Sequence, residues 1–268
     1  MLKPILARLK RLKKRTIAAS CGILILGVAV TFWVWPSPPP PEELPPTADE
    51  NLFRAIESFD VAAIEAEDPS QFSGIFHVPA GPVPAEGLLE FLSRSDMAET
   101  LTAVRIDGGL VEREIPRELL ESLMSMPKLR ELRFRQVAVT DSDLNVIARH
   151  KQLEILNFPD SICTTAGIEH LISMPTLRQL RLGSAHLTGE SASKIRKLES
   201  LRSLHLIGIP IDDTQLRKLA DLPLLESLYL DDCAVTQEGW IWLFEHHPHL
   251  HVHVDQVHHD RDPQLHRH

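Results

Sequence analysis

Short catalytic motifs are missing from this chain, and cysteine is scarce in it. The sequence has 3 cysteines in 268 residues, none of them in a C-x-x-C pair. It also has no Gly-rich phosphate loop, no G-x-S-x-G nucleophile elbow and no H-E-x-x-H metal motif. Isolated serine, histidine and aspartate side chains make an active site only where the fold brings them together. We therefore expect a protein that is not an enzyme.

An excess of positive charge is also missing. The chain contains 28 Lys and Arg residues against 37 Asp and Glu residues, a net charge of −9. Seven of the basic residues lie in the first 16 positions, so the remainder has 21 basic against 37 acidic residues, a net charge of −16. Such a surface repels phosphate backbones and anionic lipids along its length. We therefore expect no binding of nucleic acid.

An internal repeat fills the second half of the chain. A six-residue phrase recurs every 24 residues, as LRELRF from Leu129, LEILNF from Leu153, LRQLRL from Leu177, LRSLHL from Leu201 and LESLYL from Leu225. A looser copy, LTAVRI, begins at Leu101. Apolar residues at positions four and six are typical of a strand with one buried face. Apolar residues at positions sixteen and nineteen, such as Leu144 and Ile147, fit a short amphipathic helix. The pattern predicts strand–helix units stacked into a solenoid.

The repeat resembles the leucine-rich repeat family in its bacterial form, in which a unit ends T-x-x-G-[IL]. Residues 164–168 (TTAGI) and 236–240 (TQEGW) come closest to that ending, and the likeness covers residues 98–254. The resemblance implies an α/β solenoid with parallel strands on a concave face and short helices on a convex face. It also implies a protein-interaction module, since concave faces in this family bind a variety of partners.

The repeat period is broken at two places. A step of 28 residues separates the first two phrases and predicts a longer loop at residues 108–115. At the other end, either His249 opens a last phrase with Val252 at position four, or Leu250 opens a ragged final strand. The sequence leaves both alternatives open.

The ends of a solenoid need covering segments, because an end unit has a neighbour on one side only. Before the repeats, IFHV at residues 75–78 and EGLLEFL at residues 86–92 predict a strand and a helix that cap the first unit. Residues 47–74 are acidic and mildly amphipathic. They form either a capping helix or a partly ordered extension.

Residues 17–35 are nineteen residues without a charge. As a helix they span about 28 Å, close to a hydrocarbon layer of about 30 Å. Basic residues precede this run and glutamates follow it, which places the N-terminus in the cytoplasm. A cleaved signal peptide is the alternative, but no small-x-small site follows the apolar run. We expect a single-pass membrane protein with its repeats outside the cytoplasm, in a bacterial inner membrane facing the periplasm.

Seven prolines crowd residues 36–46. In the polyproline II conformation this segment is a semi-rigid stalk about 34 Å long. A docking ligand for a proline-reading domain is the alternative. The predicted organisation is a basic cytoplasmic tail (1–16), a transmembrane helix (17–35), a proline-rich stalk (36–46), an N-terminal capping region (47–97), leucine-rich repeats (98–254) and a histidine-rich tail (255–268).

Position five of successive phrases is predicted to form a column on the concave face, because odd strand positions face away from the core. Like charges about 5 Å apart repel by about 0.8 kcal/mol even in water, so we expect an acidic protein segment or an anionic polymer to bind here. The alternative is a solvated face whose arginines pair with Glu131, Glu154 and Glu226. The predicted ligand-binding residues are Arg105, Arg133, Arg181, His205 and Tyr229 of the column, which also holds Asn157 and His253, and the adjacent Arg135.

Histidines crowd the C-terminal end, where they make up nine of the last 23 residues. His251 and His253 lie on one side of a predicted strand, a half-site for Zn²⁺, Ni²⁺ or Cu²⁺, with Asp260 and Asp262 as further donors. The pattern fixes no third or fourth ligand, and terminal segments are usually disordered. The predicted metal-binding residues are His251, His253, His258 and His259, and no other cofactor is expected. The alternative to an interaction module is an envelope structural or metal-sequestering protein that acts through this tail.

Overall fold

The structure is a computed structural model that describes residues 74–78 and 81–262. The predicted membrane helix at 17–35 and the proline-rich stalk at 36–46 lie outside the described residues, as do most of the segment 47–74 and the last six residues of the chain. Across the described residues, no helix combines the length and apolar character needed to cross a bilayer.

Nine strands of the described residues form one sheet in which spatial order follows chain order. Strands β1 to β8 pair in parallel, and β9 pairs with β8 antiparallel. The strands are β1 (Ile75–Val78), β2 (Ala103–Ile106), β3 (Glu131–Phe134), β4 (Ile155–Phe158), β5 (Gln179–Gly183), β6 (Ser203–Ile207), β7 (Ser227–Asp231), β8 (His251–Val254) and β9 (Val257–His258).

Each repeated phrase becomes a strand that begins at its third residue. In β3, Leu132 and Phe134 are buried at positions four and six, whereas Arg133 between them is half-buried. The phrases pair in register, so that Leu228 of β7 lies beside Val252 of β8. The last phrase therefore opens at His249, which resolves the alternative that the sequence left open.

Eight helices connect the strands in the described part of the chain. They cover one face of the sheet, because their apolar residues at positions sixteen and nineteen are buried, as with Leu144 and Ile147. The predicted α/β arrangement is confirmed. The helices are α1 (Ala85–Leu92), α2 (Ser95–Ala98), α3 (Arg117–Met124), α4 (Asp141–Ile147), α5 (Thr165–Leu171), α6 (Ser191–Ile195), α7 (Asp213–Ala220) and α8 (Gln237–His246).

Position twelve of each unit starts the helix by capping it. The hydroxyls of Thr140, Thr164 and Thr236 accept hydrogen bonds from backbone N–H groups in the first turns of α4, α5 and α8. Asp212, which replaces threonine at this position, caps α7 in the same way. The helix α6 differs, since its N-cap is Glu190 and no side chain caps it.

The T-x-x-G ending has a packing reason. Both carboxylate oxygens of Asp141 accept hydrogen bonds from Thr164 of the next unit, one from its N–H and one from its hydroxyl, each at 2.7 Å. A Cβ at Gly167 would lie 2.2 Å from Asp141 Oδ1. Glycine is required because the aspartate of one unit occupies that space to hold the threonine of the next.

The N-terminal end contains the predicted strand and helix. The strand β1 pairs with β2, and α1 buries Leu88 and Phe91, whose ring lies 5.1 Å from that of Phe76. The predicted longer loop is also present, since residues 108–115 form no helix or strand of more than one residue. Within it Leu110 makes an isolated bridge with Val83.

Candidate functional site

Position five forms a continuous column on the sheet face opposite the helices, and we call it the column. Strand register aligns its members one beside the next. The predicted alignment is confirmed, and β1 adds His77, which the 24-residue pattern did not reveal. The column comprises His77, Arg105, Arg133, Asn157, Arg181, His205, Tyr229 and His253.

Acidic residues beside the column neutralise its N-terminal half. Arg105 donates two hydrogen bonds of 2.7 Å, from Nε and Nη2, to the two carboxylate oxygens of Glu131. This bidentate contact raises the pKa of Arg105. Asp107 lies between Arg133 and His77. Its Oδ1 is 2.7 Å from Nε of Arg133, and its Oδ2 is 3.0 Å from Nε2 of His77. The arginines of β2 and β3 are therefore already paired within the chain.

Two arginines at the strand starts also have partners. Arg130 Nε lies 3.7 Å from Glu154, and Arg202 contacts Glu226. The predicted pairing of surface arginines with Glu154 and Glu226 is thus present, and Glu131 pairs within the column. Exposed pairs of this kind contribute little to stability, so they mainly set the local charge around the face.

Arg181 is the exception among the column arginines. No carboxylate of the described residues lies within ion-pair distance of its guanidinium, and its buried Nε has no hydrogen-bond partner. Burial lowers the pKa of Arg181, and the positive charge of Arg135 lowers it further. The neighbouring Asn157 has a buried Oδ1 that is also unpartnered. The centre of the column therefore holds a half-buried cation with unmet hydrogen-bonding capacity.

His205 adjoins Arg181 and is tied to a buried acid. Its Nε2 lies 2.8 Å from Asp231 Oδ2. Burial lowers the pKa of His205 and the charge of Arg181 acts in the same direction, whereas the hydrogen bond to Asp231 opposes them. Because a carboxylate oxygen only accepts, the Nε2–H of His205 donates this hydrogen bond.

Tyr229 completes the site as an aromatic wall. Its ring centroid lies 5.3 Å from that of His205 and 4.7 Å from that of His253. A shallow depression of about 320 Å³ opens beside the rings of His205 and Tyr229, in the range of volumes of small-ligand sites. Its polar lining comes from Asn157, Gln179, Arg181, Ser203, His205 and Tyr229.

Three of the four predicted metal-binding histidines come together at the C-terminal end. The ligand nitrogens of His251, His253 and His258 all lie within 4.8 Å of one another. His259 is placed elsewhere, because its ring packs 4.9 Å from Trp240 and 5.0 Å from Phe244. The structure therefore does not bring His259 together with the other three histidines.

The two predicted acidic donors also separate. Asp260 is exposed, whereas the carboxylate of Asp262 is fully buried and lies 3.0 Å from Nδ1 of His251. The structure thus groups three imidazoles and one buried carboxylate, which we call the histidine cluster.

Alternating strands and helices, parallel pairing and a 24-residue register make the described part of the chain an α/β solenoid, the fold that the resemblance to leucine-rich repeats implied. No protein-family model matches the chain, and a search of curated proteins gives no match.

Solved structures similar to this chain include bacterial leucine-rich repeat proteins. Internalin C2 of Listeria monocytogenes is 17% identical, with a TM-score of 0.46, over 82% of this chain and 89% of that one. An internalin (inlF) of the same organism is 17% identical, with a TM-score of 0.46, over 78% of this chain. A leucine-rich repeat protein of Leptospira interrogans is 14% identical, with a TM-score of 0.44, over 65% of this chain. The match spans 58% of the second protein and 52% of the third.

Proposed function

We propose that this protein is a non-catalytic interaction module that binds an acidic segment of a partner protein on the predicted concave face. The observation that carries the proposal is Arg181, a half-buried guanidinium at the middle of the column that has no acidic partner among the described residues. A buried charge without a partner is unfavourable, and perturbed groups of this kind concentrate at functional sites. A carboxylate from outside the chain would relieve that cost.

The surroundings of Arg181 favour a short acidic segment over a long anionic polymer. Glu131, Glu154, Glu226 and Asp107 lie around the column, and the chain after residue 16 is strongly acidic. Because these acids already pair with the neighbouring arginines, a long polyanion would find few free cations here and would be repelled by the net acidic charge. One or two carboxylates reaching Arg181 would avoid that repulsion.

Tyr229 and Asn157 supply the remaining recognition groups. Tyrosine is enriched at binding hot spots because it offers a large apolar ring with a polar end. The unpartnered Oδ1 of Asn157 accepts a hydrogen bond, so it suits a backbone N–H next to the bound carboxylate. Together they fit an extended peptide with an acidic side chain and an apolar neighbour.

Membrane anchoring belongs to the same proposal. Residues 17–35 hold the chain in a bacterial inner membrane, and the stalk at 36–46 keeps the solenoid clear of the headgroups on the periplasmic side. The uncharged run and the seven preceding basic residues support this arrangement. Alkaline extraction should leave the full-length chain in the membrane pellet and release a chain that starts at residue 36. Release of the full-length chain would contradict the anchor.

Site-specific photo-crosslinking tests the binding face. A photoreactive residue replaces Ser203, which lines the depression, and a matched one replaces Arg149, which is exposed on the helix side. In intact cells we expect a discrete protein adduct from position 203, none from position 149, and loss of the adduct when Arg181→Ala is added.

A peptide carrying the crosslinked acidic segment then gives the affinity. Arg181→Ala should weaken its binding about 30-fold or more, since truncating one partner of a buried charge pair costs at least about 2 kcal/mol. Arg149→Ala removes the same charge from the other side and should leave the affinity unchanged. Equal adducts from both positions, or an affinity indifferent to Arg181→Ala, would refute the proposal.

A further inference from the structure

The C-terminal hairpin turns a histidine-rich segment into an ordered donor set. Its turn places Asp255 and Gln256 at φ values of 50° and 65°, and β9 returns antiparallel to β8. In this register His253 lies opposite His258. Side chains two residues apart on a strand share a face, so His251 lies beside them.

The distances within the histidine cluster suit a transition metal. His251 Nε2 and His253 Nε2 are 3.0 Å apart, and the ring of His258 lies 4.7 Å and 4.0 Å from the rings of His251 and His253. Two nitrogens bound to tetrahedral Zn²⁺ at its usual bond length are about 3.3 Å apart. Small movements of these partly exposed rings are sufficient to reach that geometry.

We propose that His251, His253 and His258 bind one Zn²⁺ ion through three imidazole nitrogens. Three imidazoles with a fourth position left for water form a common tetrahedral arrangement of this ion. Nitrogen donors select against Mg²⁺ and Ca²⁺, which prefer oxygen. The cluster is partly exposed, so the ion can enter from solvent.

Asp262 orients the first of these ligands. Its buried Oδ2 lies 3.0 Å from Nδ1 of His251 and accepts a hydrogen bond of 2.9 Å from the N–H of Val252. A carboxylate at Nδ1 keeps the proton there and leaves the lone pair on Nε2, the nitrogen that faces His253. Metal-binding histidines commonly have such a carboxylate partner. Asp262 is therefore a positioning residue for the site.

The bound ion would fasten the end of the solenoid. Its ligands come from β8 and β9, so binding ties the antiparallel return strand to the last parallel strand. The site also shares His253 with the column, and the ring of His253 contacts that of Tyr229. It does not depend on binding at Arg181, and each site can be present without the other.

Isothermal titration calorimetry with ZnCl₂ tests the site in the full-length chain purified in detergent. His266 and His268 are changed to Ala in every protein, so that they add no metal binding of their own. We expect one Zn²⁺ per chain and no heat above buffer with MgCl₂. His253→Ala and His258→Ala should abolish the zinc binding. His249→Ala is the matched control, an exposed histidine outside the cluster, and should leave it intact.

Two further measurements separate ligand loss from misfolding. Asp262→Asn keeps the size and the acceptor oxygen of the side chain but removes its charge, and should weaken zinc binding about 10-fold to 100-fold. Circular dichroism of each metal-free variant should match that of the parent, and His258→Ala, on the two-residue β9, perturbs the fold least. The proposal fails if zinc gives no heat, or if binding persists in folded His253→Ala and His258→Ala proteins.

Discussion

The carboxylate of Asp213 accepts two hydrogen bonds from Thr236 of the following unit, one of 2.8 Å from the N–H of Thr236 and one of 2.7 Å from its hydroxyl. These bonds lower the pKa of Asp213, the one from the hydroxyl more than the one from the N–H. A Cβ at Gly239 would lie 2.2 Å from the same carboxylate. The contact repeats that of Asp141, Thr164 and Gly167, so it is a device that ties successive units together.

Gly239→Ala should therefore destabilise the protein by about 1–3 kcal/mol, because the new methyl group displaces the Asp213 carboxylate. The measurement is the free energy of unfolding in urea. Glu245→Ala, at an exposed position of the same helix, is the control and should be close to neutral. Combining Gly239→Ala with Asp213→Ala should cost less than the sum of the two single changes. Strict additivity would show that the methyl group and the carboxylate do not compete for space.

Arg181 and Arg105 should respond oppositely to the same substitution. Arg181→Met removes a half-buried charge without an acidic partner and should raise the free energy of unfolding by about 1 kcal/mol. Arg105→Met leaves Glu131 without its bidentate partner and should lower the free energy of unfolding by about 1–2 kcal/mol. Urea unfolding of both variants at pH 7 checks the prediction. A loss of stability in Arg181→Met would mean that its guanidinium is satisfied within the chain.

Stability should fall as pH drops below the ordinary histidine pKa. The pKa of His205 is lowered from 6.5 in the folded chain, mainly by burial. The unfolded chain therefore binds more protons at and below pH 6.5, and protonation favours unfolding. Urea midpoints at pH 7.5 and pH 5.5, measured with EDTA, should show this loss.

The variant His205→Gln isolates that contribution. Glutamine keeps a donor for Asp231 but does not titrate, so the difference between the two midpoints should shrink. The difference should not vanish, because other histidines with lowered pKa values, such as His247 and His259, also contribute to it. An unchanged difference in His205→Gln would exclude this residue as a source of the pH dependence.

Phe158 should be among the costliest core positions. Its ring stacks on that of Phe134 with centroids 5.8 Å apart, and both side chains are buried. Phe158→Ala should lower the free energy of unfolding by about 3–5 kcal/mol, as is usual when a buried aromatic ring is removed and leaves a cavity. Hydrogen exchange should place the loss of protection in β3, β4 and β5, because solenoid units contact only their neighbours. A uniform loss of protection over the whole chain would contradict that local response.

The column was predictable because the repeat period alone sets which residues lie side by side. Glu131 was anticipated as a partner acid, but Asp107 and Asp231 were not, although both stand at position seven of their phrases, the next odd position on the same face. Arg135 occupies position seven of the phrase that begins at Leu129. Whether a side chain there turns toward the column depends on how each strand ends, which the period does not specify.

The histidine cluster was only partly predictable for a different reason. Alternation placed His251 and His253 together, but His258 depends on the hairpin, and its turn residues, Asp255 and Gln256, lack the glycine typical of such turns. Nothing in the sequence pattern separates His259 from His258. The burial of Asp262 is likewise a product of the turn that precedes it.

The reversal at β9 limits how this architecture can lengthen. The strands β1 to β8 each offer the next strand a full row of backbone hydrogen-bonding groups. The strand β9 has only two residues and runs in the opposite direction, so a further parallel strand could not pair with it in the same way. Duplicated units can therefore be accommodated between existing strands but not appended past His258. The same reversal leaves little backbone for a second molecule to extend, which protects the ladder from end-to-end fibre growth at this edge.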